Sequence, residues 1–161
     1  GLTDHVEVIM GTFSKALGSF GAYVASNREL IDYLVNACRS FIYTTALPPA
    51  VVAASSAALD VVAAEPERRR IVLESAASFR QLLAQCNFLV RGDAQIVPVV
   101  IGDNARTAAF AARLRETGFW APAIRPPTVP PGEARLRFTI TWHHAPRELG
   151  SLMDAILHVR V

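Results

Sequence analysis

Apolar positions along the chain change period several times, and each change predicts an element. Residues 6–10 form a short apolar run that reads as a buried strand, and Tyr23-Val24-Ala25 reads as a second. Ser26 predicts a helix N-cap, Glu29 completes a capping box, and Leu30, Ile31, Leu34 and Cys38 recur at helical spacing to about residue 40. Residues 41–45 read as extended or irregular. Pro48-Pro49 then predicts a helix continued over 50–64, because proline fits the first helical turn.

Pro66 predicts another start, and Ile71, Leu73, Ala76, Phe79, Leu82 and Leu83 give an amphipathic helix to about residue 86. Residues 88–90 and 96–101 read as a strand pair around the turn Arg91-Gly92-Asp93, with Pro98 placing its strand at an edge or a bulge. A helix over 105–117 stops at Gly118, and a strand follows over 119–124. Strict alternation over 134–141 marks a half-buried strand. Pro146 opens a last helix with Leu149, Leu152, Met153, Ile156 and Leu157 on one face. The order implies an α/β chain: the end of one sheet domain up to roughly residue 61, then a compact terminal domain of helices on a small, mainly antiparallel sheet.

Composition narrows the class. An apolar share of 52% with 19% charged residues suits a globular protein that buries a core in 161 residues, and a formal charge of +2 gives little support to nucleic-acid binding. Arg68-Arg69-Arg70 splays around a helix and reads as a solvated helix start. Cys38 and Cys86 match no zinc or redox spacing, so two buried free thiols in a reducing, cytoplasmic setting are expected. Ser55, Ser56 and Asp60 interrupt the longest apolar stretch, so no membrane span is expected, and the first residues show no signal-peptide pattern. The chain opens without methionine and runs almost at once into a strand. A fragment of a longer protein is expected.

The candidate chemistry begins with Lys15, the single lysine among sixteen basic residues of the Lys and Arg type. It lies in Gly11-Thr12-Phe13-Ser14-Lys15-Ala16-Leu17-Gly18-Ser19-Phe20-Gly21. A Walker A loop needs glycine directly before the lysine, where Ser14 stands, and the glycines miss the G-x-G-x-x-G spacing. A Ser-x-x-Lys acyl transferase needs serine at the position of Thr12. Hydroxyls, an amine and glycines close together suit a pyridoxal phosphate site, where the amine bonds the cofactor aldehyde and hydroxyls hold its phosphate. By spacing alone, an ordinary loop lysine remains an equal reading.

Three segments in order carry a resemblance: the Lys15 segment, Phe41-Ile42-Tyr43-Thr44-Thr45-Ala46-Leu47-Pro48-Pro49, and Ala123-Ile124-Arg125-Pro126-Pro127-Thr128-Val129-Pro130 followed by Ala134-Arg135-Leu136-Arg137. Together they resemble the α-oxoamine synthase family of pyridoxal-phosphate enzymes, over the C-terminal part of a family member. The resemblance implies the end of a fold type I large domain over 1–61 and a small C-terminal α+β domain over 62–161. It further implies decarboxylative condensation of an amino acid, here L-alanine, with an acyl thioester, pimeloyl-CoA or pimeloyl-ACP.

In that resemblance Lys15 is the catalytic, cofactor-bearing amine and Thr12 a phosphate ligand. Thr44 and Thr45 reach the cofactor phosphate of a neighbouring subunit, which implies a homodimer with shared active sites. Arg125 binds the amino-acid carboxylate, as a guanidinium fork can, and Thr128 lines the same pocket. Taken without the resemblance, Thr44 and Thr45 read as a strand-end hydroxyl pair and Arg125 as a loop charge. Arg135 and Arg137 share a strand face and predict salt bridges. His143 and His144 are adjacent on a strand end and point apart, so no metal site is expected. The aspartate and histidine that hold the cofactor ring in the family lie upstream of the lysine motif, and Asp4 and His5 stand too close to it to match them.

Overall fold

The computed structural model describes residues 2–144 and 146–160. Two compact units emerge, Gly1–Pro66 and Glu67–Val161.

In the first unit β1 (Ile9–Thr12) and β2 (Ala22–Ala25) form an antiparallel pair in which Ile9 faces Ala25 and Thr12 faces Ala22. The first strand therefore starts three residues later than its apolar run suggests. Register explains the shift: β2 ends at Ala25, so residues 6–8 have no ladder partner among the described residues, and the Glu7 carbonyl accepts the Ser26 hydroxyl at 2.6 Å instead. Nor is the strand buried, since Ile9 and Met10 are exposed.

That same tether takes Ser26 out of its expected capping role. Asn27 caps α1 (Arg28–Ala37) instead, its side-chain oxygen accepting the Leu30 N–H at 2.9 Å. The helix stops short of residue 40, because the Cys38 N–H makes the last bond to Leu34 and a separate turn, α2 (Arg39–Ile42), begins. Phe41 and Ile42 are thus helical rather than extended, and the irregular stretch is 43–48. Helix α3 (Pro49–Ala64) begins on its prolines as predicted. Both cysteines are free and half-buried rather than buried.

The second unit begins with α4 (Glu67–Gln85), followed by β3 (Leu89–Val90), β4 (Ile96–Gly102), α5 (Asn104–Glu116), β5 (Ala123–Ile124), β6 (Ala134–Thr139) and α6 (Pro146–His158). Its sheet has the order β3-β4-β6-β5, with every pair antiparallel. Strand β6 alternates as its sequence predicts: Ala134, Leu136 and Phe138 are buried, while Arg137 and Thr139 are exposed and Arg135 is half-buried. Val97 and Val99 of β4 join this inner face.

Phe79 and Leu83 of α4, Phe110 and Leu114 of α5, and Leu152 and Ile156 of α6 complete one core cluster with these strands. Phe79 meets Phe138 edge to face, with ring centres 5.6 Å apart, the geometry that aligns a positive ring edge with a negative face. Each such fully buried aromatic contributes about 1.5–3 kcal/mol through removal of apolar area from water.

Two strand expectations change. Pro98 lies inside the sheet, opposite Arg137 of β6, and the register shift falls between Val100 and Gly102 rather than at the proline. Its carbonyl accepts the Arg91 N–H at 3.1 Å, so its nitrogen faces the same side, just beyond the two-residue β3 where no ladder donor is required. The strand over 119–124 shrinks to Ala123–Ile124. Pro122 offers a carbonyl to Arg137 at 3.1 Å but has no N–H to extend the pairing.

Candidate active site

The β1–β2 pair continues past its last ladder residues into the lysine segment. Phe13 N–H donates to the Gly21 carbonyl at 2.9 Å, and Ser19 N–H donates to the Phe13 carbonyl at 2.9 Å. These bonds pinch off a loop over residues 14–18, inside which Gly18 N–H donates to the Lys15 carbonyl at 3.1 Å. Gly18 sits at φ +62° and Gly21 at φ +99°, left-handed values that a side chain strains to adopt.

The loop projects Lys15 into solvent. Among the described residues its ammonium makes no salt bridge or side-chain hydrogen bond. Thr12, half-buried, ends β1 three residues before it. The Phe13 and Tyr23 rings, 5.3 Å apart, brace the base of the hairpin.

Thr44 and Thr45 lie exposed in the 43–48 segment of the same unit. That segment reaches the hairpin through Leu47, which packs over Gly21: a Cβ there would stand 2.7 Å from a Leu47 methyl carbon. Nearby, the Cys38 sulfur lies 3.3 Å from the Ser40 hydroxyl. That hydroxyl and the Phe41 backbone amide hold the Cys38 thiol below the ordinary thiol range.

Arg125 and Thr128 belong to the second unit. They line an open cleft of about 300 Å³ together with Asn104, Ala123, Ile124 and Pro126. A turn fixes their spacing, with Thr128 N–H donating to the Arg125 carbonyl at 3.0 Å, and the Pro126–Pro127 peptide is cis. Guanidinium, hydroxyl and carboxamide offer a donor set suited to a carboxylate. The carboxamide of Asn104, the first residue of α5, belongs to the run Gly102-Asp103-Asn104, which shares in the family resemblance, but its place beside Arg125 is visible only in the fold. Arg135 forms the expected salt bridge, to Glu133, and the His144 ring nitrogen Nδ1 accepts the Thr141 N–H at 3.2 Å. Among the described residues no helix is long and apolar enough to cross a membrane.

The chain belongs to the aminotransferase class I and II family, whose model matches residues 1–156. It is 46% identical over 162 residues to the 8-amino-7-oxononanoate synthase of Pelobacter propionicus, covering 99% of this chain and 41% of that protein. Serine palmitoyltransferase of Sphingomonas wittichii superposes with a TM-score of 0.94 at 25% identity, over 99% of this chain and 41% of its own. A variant of SPT solved with PLP matches at TM-score 0.93 and 28% identity, with the same coverage. The architecture is thus an α/β portion of the fold type I pyridoxal-phosphate transferases, and the chain spans about two fifths of the length of these relatives.

The cofactor to which family and neighbours point is pyridoxal phosphate. This chain's donors fit it in kind: one unpaired primary amine on a pinned loop and a hydroxyl at the adjoining strand end.

Proposed function

We propose that this chain supplies the lysine-bearing and carboxylate-binding parts of a pyridoxal-phosphate-dependent α-oxoamine synthase of the 8-amino-7-oxononanoate synthase type. The reaction joins L-alanine to the acyl group of a pimeloyl thioester, with release of the carrier thiol (CoA or acyl carrier protein) and of carbon dioxide, in cytoplasmic biotin biosynthesis. When bound, pyridoxal phosphate supplies an electron sink for the amino-acid α-carbon. Lys15 holds the cofactor covalently through its amine and moves the α-proton. Thr12 donates its hydroxyl to the phosphate. Thr44 and Thr45 serve the phosphate of the other subunit in a homodimer. Arg125 pairs with the substrate carboxylate, and Thr128 borders it.

The observation that carries this reading is the hairpin geometry around Lys15: the only lysine of the chain stands unpaired on a short loop closed at both ends. The test is incubation with pyridoxal phosphate, borohydride reduction and peptide mapping. Saturable pyridoxyl labelling at Lys15, suppressed by free phosphate and absent in Lys15→Ala, is expected. Labelling no greater than at the terminal amine would instead favour a non-catalytic unit that serves only folding or dimerisation.

The serine palmitoyltransferase likeness favours a sibling as the second reading, with L-serine in place of L-alanine; glycine C-acetyltransferase and 5-aminolevulinate synthase are further siblings of that type. A competition of L-alanine, L-serine and glycine against the labelled site separates them.

A further inference from the structure

Ser55 is the one side chain of the first unit that is buried among the described residues, at 6% exposure, in a helix rich in alanine and valine whose other polar side chains, Ser56 and Asp60, are exposed. A serine at such a place commonly returns its proton to the carbonyl one helical turn back, and Ser55 Oγ does lie 3.0 Å from the Val51 carbonyl. That bond alone would be ordinary helix chemistry. The second bond is not local: Ser55 Oγ lies 2.9 Å from Ser19 Oγ, thirty-six positions away in sequence.

Ser19 Oγ in turn donates to the same Val51 carbonyl at 3.2 Å. Each hydroxyl has one proton, so the arrangement that satisfies all three groups has Ser19 donating to Val51 and Ser55 donating to Ser19. A triangle of two hydroxyls and one carbonyl thereby fastens the hairpin to α3.

Its position in the loop gives the triangle a consequence. Ser19 is the residue whose backbone N–H closes the Lys15 loop on Phe13, and Gly18, its neighbour, bonds the Lys15 carbonyl. Movement of Ser19 is therefore passed to the Lys15 backbone through two hydrogen bonds. Amines that bond a cofactor must be held within a fraction of an ångström of their working place, and a misplacement of about 1 Å costs on the order of a hundredfold in rate.

We infer that Ser55 is a positioning residue for Lys15, acting through Ser19 to hold the lysine loop against α3. The inference rests on the reading of Lys15 as the cofactor lysine.

The test uses the full chain, with Ser55→Ala, Ser19→Ala, the double variant and Ser55→Thr. Two readouts are taken: amide hydrogen exchange at Gly18 and Ser19, and the pyridoxal phosphate concentration that half-labels Lys15 under borohydride. In Ser55→Ala both are expected to rise roughly fivefold, the weight of one net hydrogen bond, while the Leu30 and Ile31 amides of α1 stay unchanged. Ser19→Ala should match it, and the double variant should add little, because both act through one chain of bonds. Ser55→Thr should leave both readouts near those of the unsubstituted chain, since threonine keeps the hydroxyl that donates to Ser19.

An unchanged exchange rate in Ser55→Ala, or a change in one readout without the other, would overturn the inference. Absence of labelling at Lys15 in the unsubstituted chain would instead remove the cofactor reading, and with it the role assigned to Ser55, whereas exchange would still tell whether Ser55 anchors the loop.

Discussion

The two units differ in what their apolar residues touch. All seventeen buried hydrophobic side chains among the described residues lie in Glu67–Val161, whereas eighteen of the twenty-five exposed large hydrophobics lie in Gly1–Pro66. Similar patterns of valine, leucine and aromatic residues thus end in opposite environments. Periodicity records which face of an element is built to be covered, and covering requires a partner surface that only the second unit contains within itself. Helix α3 shows the contrast best: it is apolar nearly all round, yet Val52, Leu59 and Val61 remain exposed.

The strongest test of this contrast pairs one substitution from each unit. Phe110→Ala removes a ring that is 2% exposed and should cost about 3–5 kcal/mol, whereas Leu59→Ala, at 47% exposure, should stay within about 0.5 kcal/mol. Urea unfolding followed by tryptophan fluorescence reads the second unit directly, because Trp120 and Trp142 both lie there. Equal shifts for the two variants would mean that the units unfold as one block.

A smaller effect is expected in the hairpin. Gly21→Ala must hold a side chain at φ +99° and displace Leu47, a strain of about 1–3 kcal/mol. Amide exchange should show the Phe13 N–H losing protection, with the tryptophan-detected midpoint unmoved.

The smallest effects concern the caps. Asp103 accepts the Arg106 N–H at 2.8 Å, so Asp103→Ala should lower the second unit's stability by about 1 kcal/mol. Asn27→Ala removes an equivalent bond from α1 and should weaken exchange protection there alone, leaving the fluorescence transition in place. A fluorescence shift in Asn27→Ala would show coupling between the units.

Helix starts were the most legible part of the fold. Pro49, Pro66 and Pro146 each mark one, since a fixed φ and a missing N–H act on the first turn whatever lies around it. Features decided by distant groups were less legible. Ser26 and Asn27 are both good caps in adjacent positions, and the Glu7 carbonyl, nineteen residues back from Ser26, settles which one does the capping. Pro98 reads as an edge or bulge residue, but a proline is costly only where its missing N–H is needed, and on that side, beyond the end of β3, only its carbonyl is used, by the Arg91 N–H.

In the candidate site, sequence motifs name Thr12, Lys15, Thr44, Thr45, Arg125 and Thr128, and the structure adds which of them share an element. Asn104 stands in the run Gly102-Asp103-Asn104, yet only the fold sets it beside Arg125, and the bond of Ser55 to the lysine loop has no sequence sign at all. A serine in an alanine-rich helix gives no local sign of facing another serine thirty-six positions away.

The lengths of the outer strands carry a further consequence. In the second unit both edges of the sheet, β3 and β5, are two residues long, so an incoming extended chain finds almost no row of free amides and carbonyls on which to add itself. Among the described residues the β1–β2 ribbon pairs with no third strand, and it shows Ile9, Met10, Tyr23 and Val24 to solvent. An added strand would therefore find its backbone partners on the hairpin that bears Lys15 more readily than on the four-stranded sheet.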